Sequence, residues 1–151
     1  MARKDRMGNR RTREQRAVRR IPWIVFDRDQ VHNFDQIISD AEKSGINVGW
    51  SNPCFEIWMF AYFGRMPVIS ESWTCCSKFS KLYKTKTGQN YSKADLDMYR
   101  RLRQHGDENK ALQIAAQKYQ QCIREGKSTP SKMCPATTVY KLVSEIRKKT
   151  E

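Results

Sequence analysis

The alternation of apolar and polar segments over the first half of the chain predicts two strands and two helices. An apolar run from Trp23 to Phe26 follows Pro22 and is typical of a parallel strand covered on both faces. Asn33 is the expected cap of the first helix and Gly45 is expected to end it. The apolar residues between them recur at a spacing of three and four, which defines one helical face: Phe34, Ile37, Ile38 and Ala41.

The second strand is predicted over residues 46–50 and the second helix over residues 52–64. Asn52 is the expected N-cap, Pro53 the first helical residue and Gly64 the residue just past the end. This helix is apolar nearly all round, which is typical of a buried helix. The order strand, helix, strand, helix predicts a parallel βαβ core.

Helical patterns dominate the second half of the chain. Ser92 and Asp95 have the spacing of a capping box, Asp107 is the expected cap of a longer helix, and residues 136–149 form an amphipathic helix. The predicted fold class is therefore α/β, with a parallel βαβ core followed by a helical C-terminal part. We assign residues 22–151 to this domain and residues 1–21 to a basic N-terminal arm.

Charge adds a candidate partner to this fold. The net charge is +13, and residues 1–20 supply +7 of it through nine Arg and Lys side chains against Asp5 and Glu14. Such an arm favours RNA or DNA phosphates, and the arginines predicted to bind them are Arg10, Arg11, Arg13, Arg16, Arg19 and Arg20. The alternative is a solvated arm that binds nothing specifically.

Several classes of protein are disfavoured by composition. No apolar stretch approaches the roughly 20 residues that cross a bilayer, and no apolar segment follows the basic N-terminus, so a cytoplasmic protein is expected. The five cysteines are odd in number and form no C-x-x-C pair, which disfavours both a disulfide framework and a zinc site.

Two carboxylates follow the first predicted strand, in the sequence Phe26-Asp27-Arg28-Asp29. If the strand persists that far, residues two apart point to the same side, so Asp27 and Asp29 converge while Arg28 faces away. Two convergent carboxylates repel each other unless a cation neutralises them, and Mg²⁺ suits such a pair. The alternative is that Asp29 is only a turn or cap residue.

Three separated motifs make the sequence resemble the RloB-like family, over roughly residues 22–147. They are Phe26-Asp27-Arg28-Asp29, the stretch from Ser51 to Trp58 (SNPCFEIW), and the closing element CPATTVYKLVSEI. The resemblance implies a Toprim-related fold in which the Asp-x-Asp motif holds Mg²⁺. It further implies a Mg²⁺-dependent nuclease component of phage defence, with an AAA/ABC-type ATPase as partner.

The chain departs from that family pattern in its upstream part. Family members carry a preceding strand with a Glu, whereas here only Glu14 precedes the motif, and no apolar run surrounds it. Three alternatives follow: the chain is a truncated or split member whose sheet a homo-oligomer or a partner completes, its start codon was assigned too late, or Glu14 does not replace the missing Glu and activity is lost. Two alternatives to a nuclease follow, a non-catalytic module that binds nucleic acid or docks an ATPase, and a decayed gene fragment.

Other residues near the motifs remain candidates with two interpretations. Glu56 is the best third carboxylate for catalysis, or else an N-terminal cap of its helix. His32 is a candidate acid or base, or a surface residue. Trp50 and Trp73 are candidates for stacking on bases, although tryptophan is more often a core residue. The lysines around residues 78–86 predict a helix with a basic face, which contacts phosphates or is simply solvated.

Overall fold

A small sheet forms the centre of the protein in a computed structural model, which describes residues 20–150. Strand β1 (Trp23–Asp27) pairs in parallel with β2 (Asn47–Asn52), with Trp23 opposite Asn47 and Asp27 opposite Ser51. Strand β3 (Ala136–Thr137) pairs antiparallel with the other side of β2. The sheet order is therefore β1-β2-β3, with β2 in the middle.

Helix α1 (Phe34–Lys43) connects the two parallel strands, as the sequence predicts. It ends where Gly45 adopts a φ of 81°, a left-handed conformation that glycine accepts without steric cost. Phe34 and Ile38 are buried and pack against Trp50 of β2 and its neighbours Val48, Cys122, Met133 and Ala136. Asn33 occupies the N-cap position, but its side chain makes no capping hydrogen bond.

Strand β1 is less covered than its sequence predicts. Ile24 is 37% exposed and Val25 is 46% exposed, and within residues 20–150 the strand pairs with β2 alone. The expectation of a strand covered on both faces is therefore wrong for this part of the chain. The reason is that β1 is an edge strand of the described sheet, so one flank of its apolar run has no neighbouring element.

The start of the second helix also differs from the prediction. Strand β2 runs through Asn52, and helix α2 (Glu56–Ala61) begins four residues later with Phe55 at its N-cap position. Asn52 is therefore the end of a strand and not a helix cap. Its buried side-chain amide instead donates to the carbonyl oxygens of Pro130, Ser131 and Met133.

The helical C-terminal part packs around α2. It comprises α3 (Ser72–Thr87), α4 (Met98–His105), α5 (Glu108–Arg124) and α6 (Val139–Thr150), with a 3₁₀ turn at Pro130–Lys132. All six residues of α2 are buried, and the aromatic side chains of α3 close over it, with Phe60 and Phe79 ring centroids 5.3 Å apart. The mixed α/β fold with a helical C-terminal part is confirmed.

Two of the predicted caps have different outcomes. Asp107 caps α5, because its Oδ1 accepts a hydrogen bond of 3.1 Å from the backbone N–H of Lys110. Ser92 and Asp95 lie in a turn, and α4 begins only at Met98 with Asp97 at its N-cap position.

No helix within residues 20–150 is both long and apolar enough to span a membrane.

Candidate functional site

The candidate site begins at the carboxyl end of β1, where Asp27 is the last strand residue. Its Oδ2 accepts a hydrogen bond of 3.1 Å from the backbone N–H of Phe55, the residue immediately before α2. The parallel pairing of β1 with β2 brings these two segments together, since the chain turns from the end of β2 directly into α2. Asp27 is therefore fixed beside Glu56, the first residue of that helix.

Glu56 is a buried carboxylate with polar neighbours from a distant segment. Its side chain is 3% exposed, and Oε2 accepts a hydrogen bond of 2.6 Å from the Tyr91 hydroxyl. Lys93 Nζ lies 3.6 Å from the same oxygen, and the Cys76 thiol donates to it at 3.8 Å. The other oxygen, Oε1, has no hydrogen-bond partner within residues 20–150. Glu56 therefore presents an unpaired acceptor inside the protein.

The two carboxyls have opposite pKa shifts. Burial raises the pKa of Asp27, the Phe55 N–H opposes that effect, and the charges of Asp29 and Glu56 add to it. Burial acts in the same direction on Glu56, but its pKa is lowered because Tyr91 donates a hydrogen bond to it and Lys93 lies close. Ionised Asp27 is therefore repelled by two negative charges, those of Asp29 and Glu56, and a bound cation would reduce this repulsion.

Asp29 lies on the turn after β1, where it has a φ of 38°. Its backbone N–H donates to the carbonyl of Pro53 at 2.9 Å. The side chain lines a polar pocket of about 300 Å³ at the ends of β1 and β2, together with Arg28, Glu71, Ser72 and their neighbours Gln30, Asn52, Pro53 and Ser70. Asp29 is therefore the exposed carboxylate of the site.

Arg28 lies in that pocket as well, contrary to the expectation that it faces away from Asp29. The strand ends at Asp27, so the alternation of side chains does not extend to Arg28 and Asp29. Arg28 Nη1 donates to the carbonyl of Ser131 at 2.8 Å, and Arg28 lines the same pocket as Asp29. The pocket thus has groups of both charges.

The carboxylates fit Mg²⁺ in chemistry, although they do not form a complete protein cage. In the part of the chain that the structure describes, no group of three or more His, Cys, Asp or Glu side chains is arranged to hold a metal ion. Mg²⁺ needs only one or two carboxylates when water and substrate oxygens complete its shell. Asp27 and Asp29 are the residues that would hold it, and Glu56 follows Phe55, whose backbone N–H donates to Asp27.

Other predicted residues lie apart from these carboxylates or outside the described structure. His32 is exposed and makes no hydrogen bond or ion pair within residues 20–150, and Trp50 is a buried core residue. Arg20 is exposed. Glu14 and the arm residues Arg10, Arg11, Arg13, Arg16 and Arg19 lie outside the described residues.

Sequence reasoning missed Tyr91 and Lys93. They lie in the segment between α3 and α4, about 35 residues after Glu56, and no motif marks them. The only local signal is a tyrosine in a polar, glycine-containing stretch, which does not predict a contact with a carboxylate. Glu56 does not cap α2 in the structure. Its side chain accepts a hydrogen bond from the Tyr91 hydroxyl, and no side-chain cap is present at the start of α2.

A comparison with protein families extends the resemblance beyond the motifs. The family model described as RloB-like protein matches residues 2–146. The matched span includes Asp27, Asp29 and Glu56, and it begins within the basic arm. No curated protein and no solved structure matches the chain.

Proposed function

The chain belongs to the RloB-like family, and on that premise we propose that it is a Mg²⁺-dependent nuclease, or a nuclease-derived subunit, that acts on RNA or DNA in phage defence. The observation that supports this most is the placement of Asp27 at the carboxyl end of β1 and of Asp29 on the following turn, with Asp27 bonded to the Phe55 N–H just before Glu56. In open α/β sheets, ligands bind beyond the carboxyl ends of the strands. The Toprim relationship implied by the resemblance assigns metal binding to the same two aspartates.

The proposed roles follow from where each group lies. Asp27 and Asp29 hold Mg²⁺, which when bound would polarise a phosphodiester and activate a water molecule. Glu56 stays ionised and positions the site through its buried contacts with Tyr91 and Lys93. Arg28 lies beside Asp29, where its guanidinium suits a phosphate oxygen.

The proposed substrate is a polyanion because of the charge of the protein. The net charge of +13 attracts nucleic acid, and the arm before β1 would add phosphate contacts that lack sequence specificity. A cytoplasmic location, a homo-oligomer and an AAA/ABC-type ATPase partner belong to the same proposal, and they follow from composition and from the resemblance.

The test is a cleavage assay with the full chain. Wild-type protein is mixed with tRNA and with plasmid DNA, in Mg²⁺ or in EDTA, and products are resolved on gels. We expect cleavage in Mg²⁺ alone and its loss in the double variant Asp27→Asn, Asp29→Asn. The matched control is Asp40→Asn, on the exposed face of α1, whose hydrogen bond from Gln36 an asparagine can keep. Equal cleavage by the double variant and wild type would refute the site assignment.

A second candidate function is a non-catalytic module that binds nucleic acid or docks an ATPase. The observation that favours it is the lack of a three-ligand metal group within residues 20–150. This alternative predicts that the wild type binds tRNA or plasmid DNA and leaves both intact in Mg²⁺ and in Mn²⁺. Mg²⁺-dependent cleavage that disappears in the double variant would exclude it.

A further inference from the structure

A large aromatic side chain is exposed at the start of α3. Trp73 is 75% exposed in the first turn of that helix, whereas Trp50 and Trp58 are each 3% exposed in the core. Burying an indole normally stabilises a fold substantially, so an exposed one is available for a partner. The Trp73 indole makes no hydrogen bond or ring contact with any residue from 20 to 150.

A row of cations lies on the solvent-exposed side of the same helix. Lys78, Lys81 and Lys84 follow each other at a spacing of three, are exposed, and form no ion pair with any described residue. Helix α3 contains no Asp or Glu, while its opposite face buries Cys75, Phe79 and Tyr83. We call Trp73, Lys78, Lys81 and Lys84 the α3 face.

The helix geometry sets the spacing of Trp73 and the three lysines along the helix axis. Trp73 and Lys84 are eleven residues apart, which is about three turns, so they lie near one line about 16 Å apart. Lys81 and Lys78 lie about 80° and about 140° around the helix from Trp73, on one side of that line. At about 3.4 Å per nucleotide of a stacked strand, this length spans roughly four to five nucleotides.

The indole end of the α3 face adjoins the candidate site. Glu71 and Ser72, the two residues before Trp73, line the pocket that contains Arg28 and Asp29. Ser72 is fixed there, because its hydroxyl donates to the carbonyl of Pro53 at 3.1 Å. A ligand that runs along the lysines towards Trp73 therefore approaches the pocket of Arg28 and Asp29.

We propose that the α3 face binds single-stranded nucleic acid, with a base stacked on Trp73 and phosphates along Lys84, Lys81 and Lys78. This inference rests on the proposed function and specifies its substrate as single-stranded. Stacking on a flat aromatic ring requires an unpaired base, which a duplex does not offer along its length. An acidic peptide would satisfy the lysines, but it offers no planar π-face to the indole.

The test measures binding by the full chain in EDTA, so that cleavage does not contribute. Fluorescence anisotropy follows a labelled oligothymidylate, with a duplex of the same length and polyglutamate as competitors. We expect Trp73→Ala to weaken binding of the single strand about 5- to 50-fold and Trp73→Phe to weaken it less. Quenching of tryptophan fluorescence by unlabelled oligothymidylate should be largely lost in Trp73→Phe.

The lysines are tested through the salt dependence of binding. The triple variant Lys78→Gln, Lys81→Gln, Lys84→Gln should reduce the slope of log K against log salt by about 2. The charge-matched control changes three exposed lysines elsewhere, Lys43, Lys110 and Lys148, to Gln. The control for the indole is Leu96→Ala, which removes another fully exposed apolar side chain.

Each outcome bears on the inference separately from the proposed function. If the α3 variants and the control variants bind oligothymidylate alike, the α3 face is not the binding site, even where wild-type protein binds and cleaves nucleic acid. If polyglutamate competes as well as the oligonucleotide and quenches Trp73 equally, the face binds acidic protein and the inference is overturned. If wild type binds no nucleic acid, this inference and the proposed function both fail.

Discussion

Tyr91 donates a hydrogen bond of 2.6 Å to Oε2 of Glu56, which joins the segment between α3 and α4 to the first turn of α2. The contact satisfies one oxygen of a carboxylate that is almost fully buried. Lys93, from the same segment, adds a positive charge 3.6 Å away. The folded protein therefore favours ionised Glu56 despite its burial, and the cost of burying that charge depends on a contact made far along the chain.

Replacing Tyr91 with Phe should destabilise the protein by about 1–3 kcal/mol at pH 7, because a buried carboxylate loses a charge-assisted hydrogen bond. The folded-state pKa of Glu56 lies below its usual 4.5, so ionised Glu56 stabilises the folded protein. This stabilisation is fully present at pH values above the unfolded-state pKa. It is lost as the pH falls through the folded-state pKa. Without Tyr91 that folded-state pKa rises towards the unfolded-state value, so the contribution is smaller and its loss is complete at a higher pH. Thermal unfolding at a series of pH values between 3 and 7 measures both effects.

The matched control is Tyr140→Phe, since Tyr140 is half-buried and its hydroxyl makes no hydrogen bond within residues 20–150. That variant should unfold close to wild type at every pH. An equal loss of stability in both variants would mean that the Tyr91 effect comes from the removed oxygen atom in general and not from Glu56.

Asp27 should behave in the opposite way. Its folded-state pKa is raised from 3.8, so its ionised form destabilises the fold, and stability falls as pH rises from the unfolded-state to the folded-state pKa. Asp27→Asn should therefore raise the melting temperature at pH 7, since the amide oxygen can still accept the Phe55 N–H while the charge is gone. The gain should vanish below about pH 3.5, where the wild-type carboxyl is also protonated.

Calorimetry at pH 7 and at low pH measures this, with Asp40→Asn as the control on an exposed carboxylate. If Asp27→Asn is more stable than wild type and also loses cleavage, the charge of Asp27 lowers stability and is needed for function. A variant that is less stable than wild type at pH 7 and no different at low pH would contradict the direction of this pKa shift.

The basic arm should contribute to affinity through phosphate contacts alone. Deleting residues 1–20 removes +7 of the net charge, so we expect weaker binding of tRNA and plasmid DNA and a flatter salt dependence. The loss should be similar for different sequences, because phosphate contacts carry no base information. Binding titrations at several salt concentrations measure it, and unchanged affinity with an unchanged slope would show that the arm is only a solvated segment.

The parallel core could be predicted because its signals are local. An apolar run, a helix with period 3.6 and a second apolar run lie next to each other along the chain, and a short strand–helix–strand order favours parallel pairing. Strand β3 could not be predicted in this way, because its two residues, Ala136 and Thr137, are too few for any periodicity. Its position depends on β2 supplying the partner, in the register Ser51 opposite Thr137.

The candidate site was predictable only in its aspartates. Asp27 and Asp29 stand in a motif, whereas Tyr91 reaches Glu56 across about 35 residues through the packing of α3 on α2. Trp73 illustrates the same limit, since sequence alone cannot distinguish an exposed tryptophan from a buried one. The error at Asn52 has a related cause, because Asn-Pro is a strong local signal for the start of a helix and a tertiary contact outweighs it here.

That tertiary contact yields a further prediction. The Asn52 side chain is 1% exposed, and its Nδ2 lies 3.1, 3.3 and 3.0 Å from the carbonyl oxygens of Pro130, Ser131 and Met133. Asn52→Ala removes their shared donor and should destabilise the protein by about 2–3 kcal/mol. Thermal unfolding measures the loss, and Asn47→Ala, an exposed asparagine on the same strand, should cost far less.

Asn52→Asp separates the hydrogen bonds from the volume of the side chain. An aspartate has nearly the same shape but presents a carboxylate to three carbonyl oxygens, so at pH 7 it should be more damaging than alanine. Its folded-state pKa must be raised by that environment, so stability should recover as pH falls and the carboxyl is protonated. An Asn52→Asp protein as stable as wild type at pH 7 would mean that the three carbonyls do not depend on this donor.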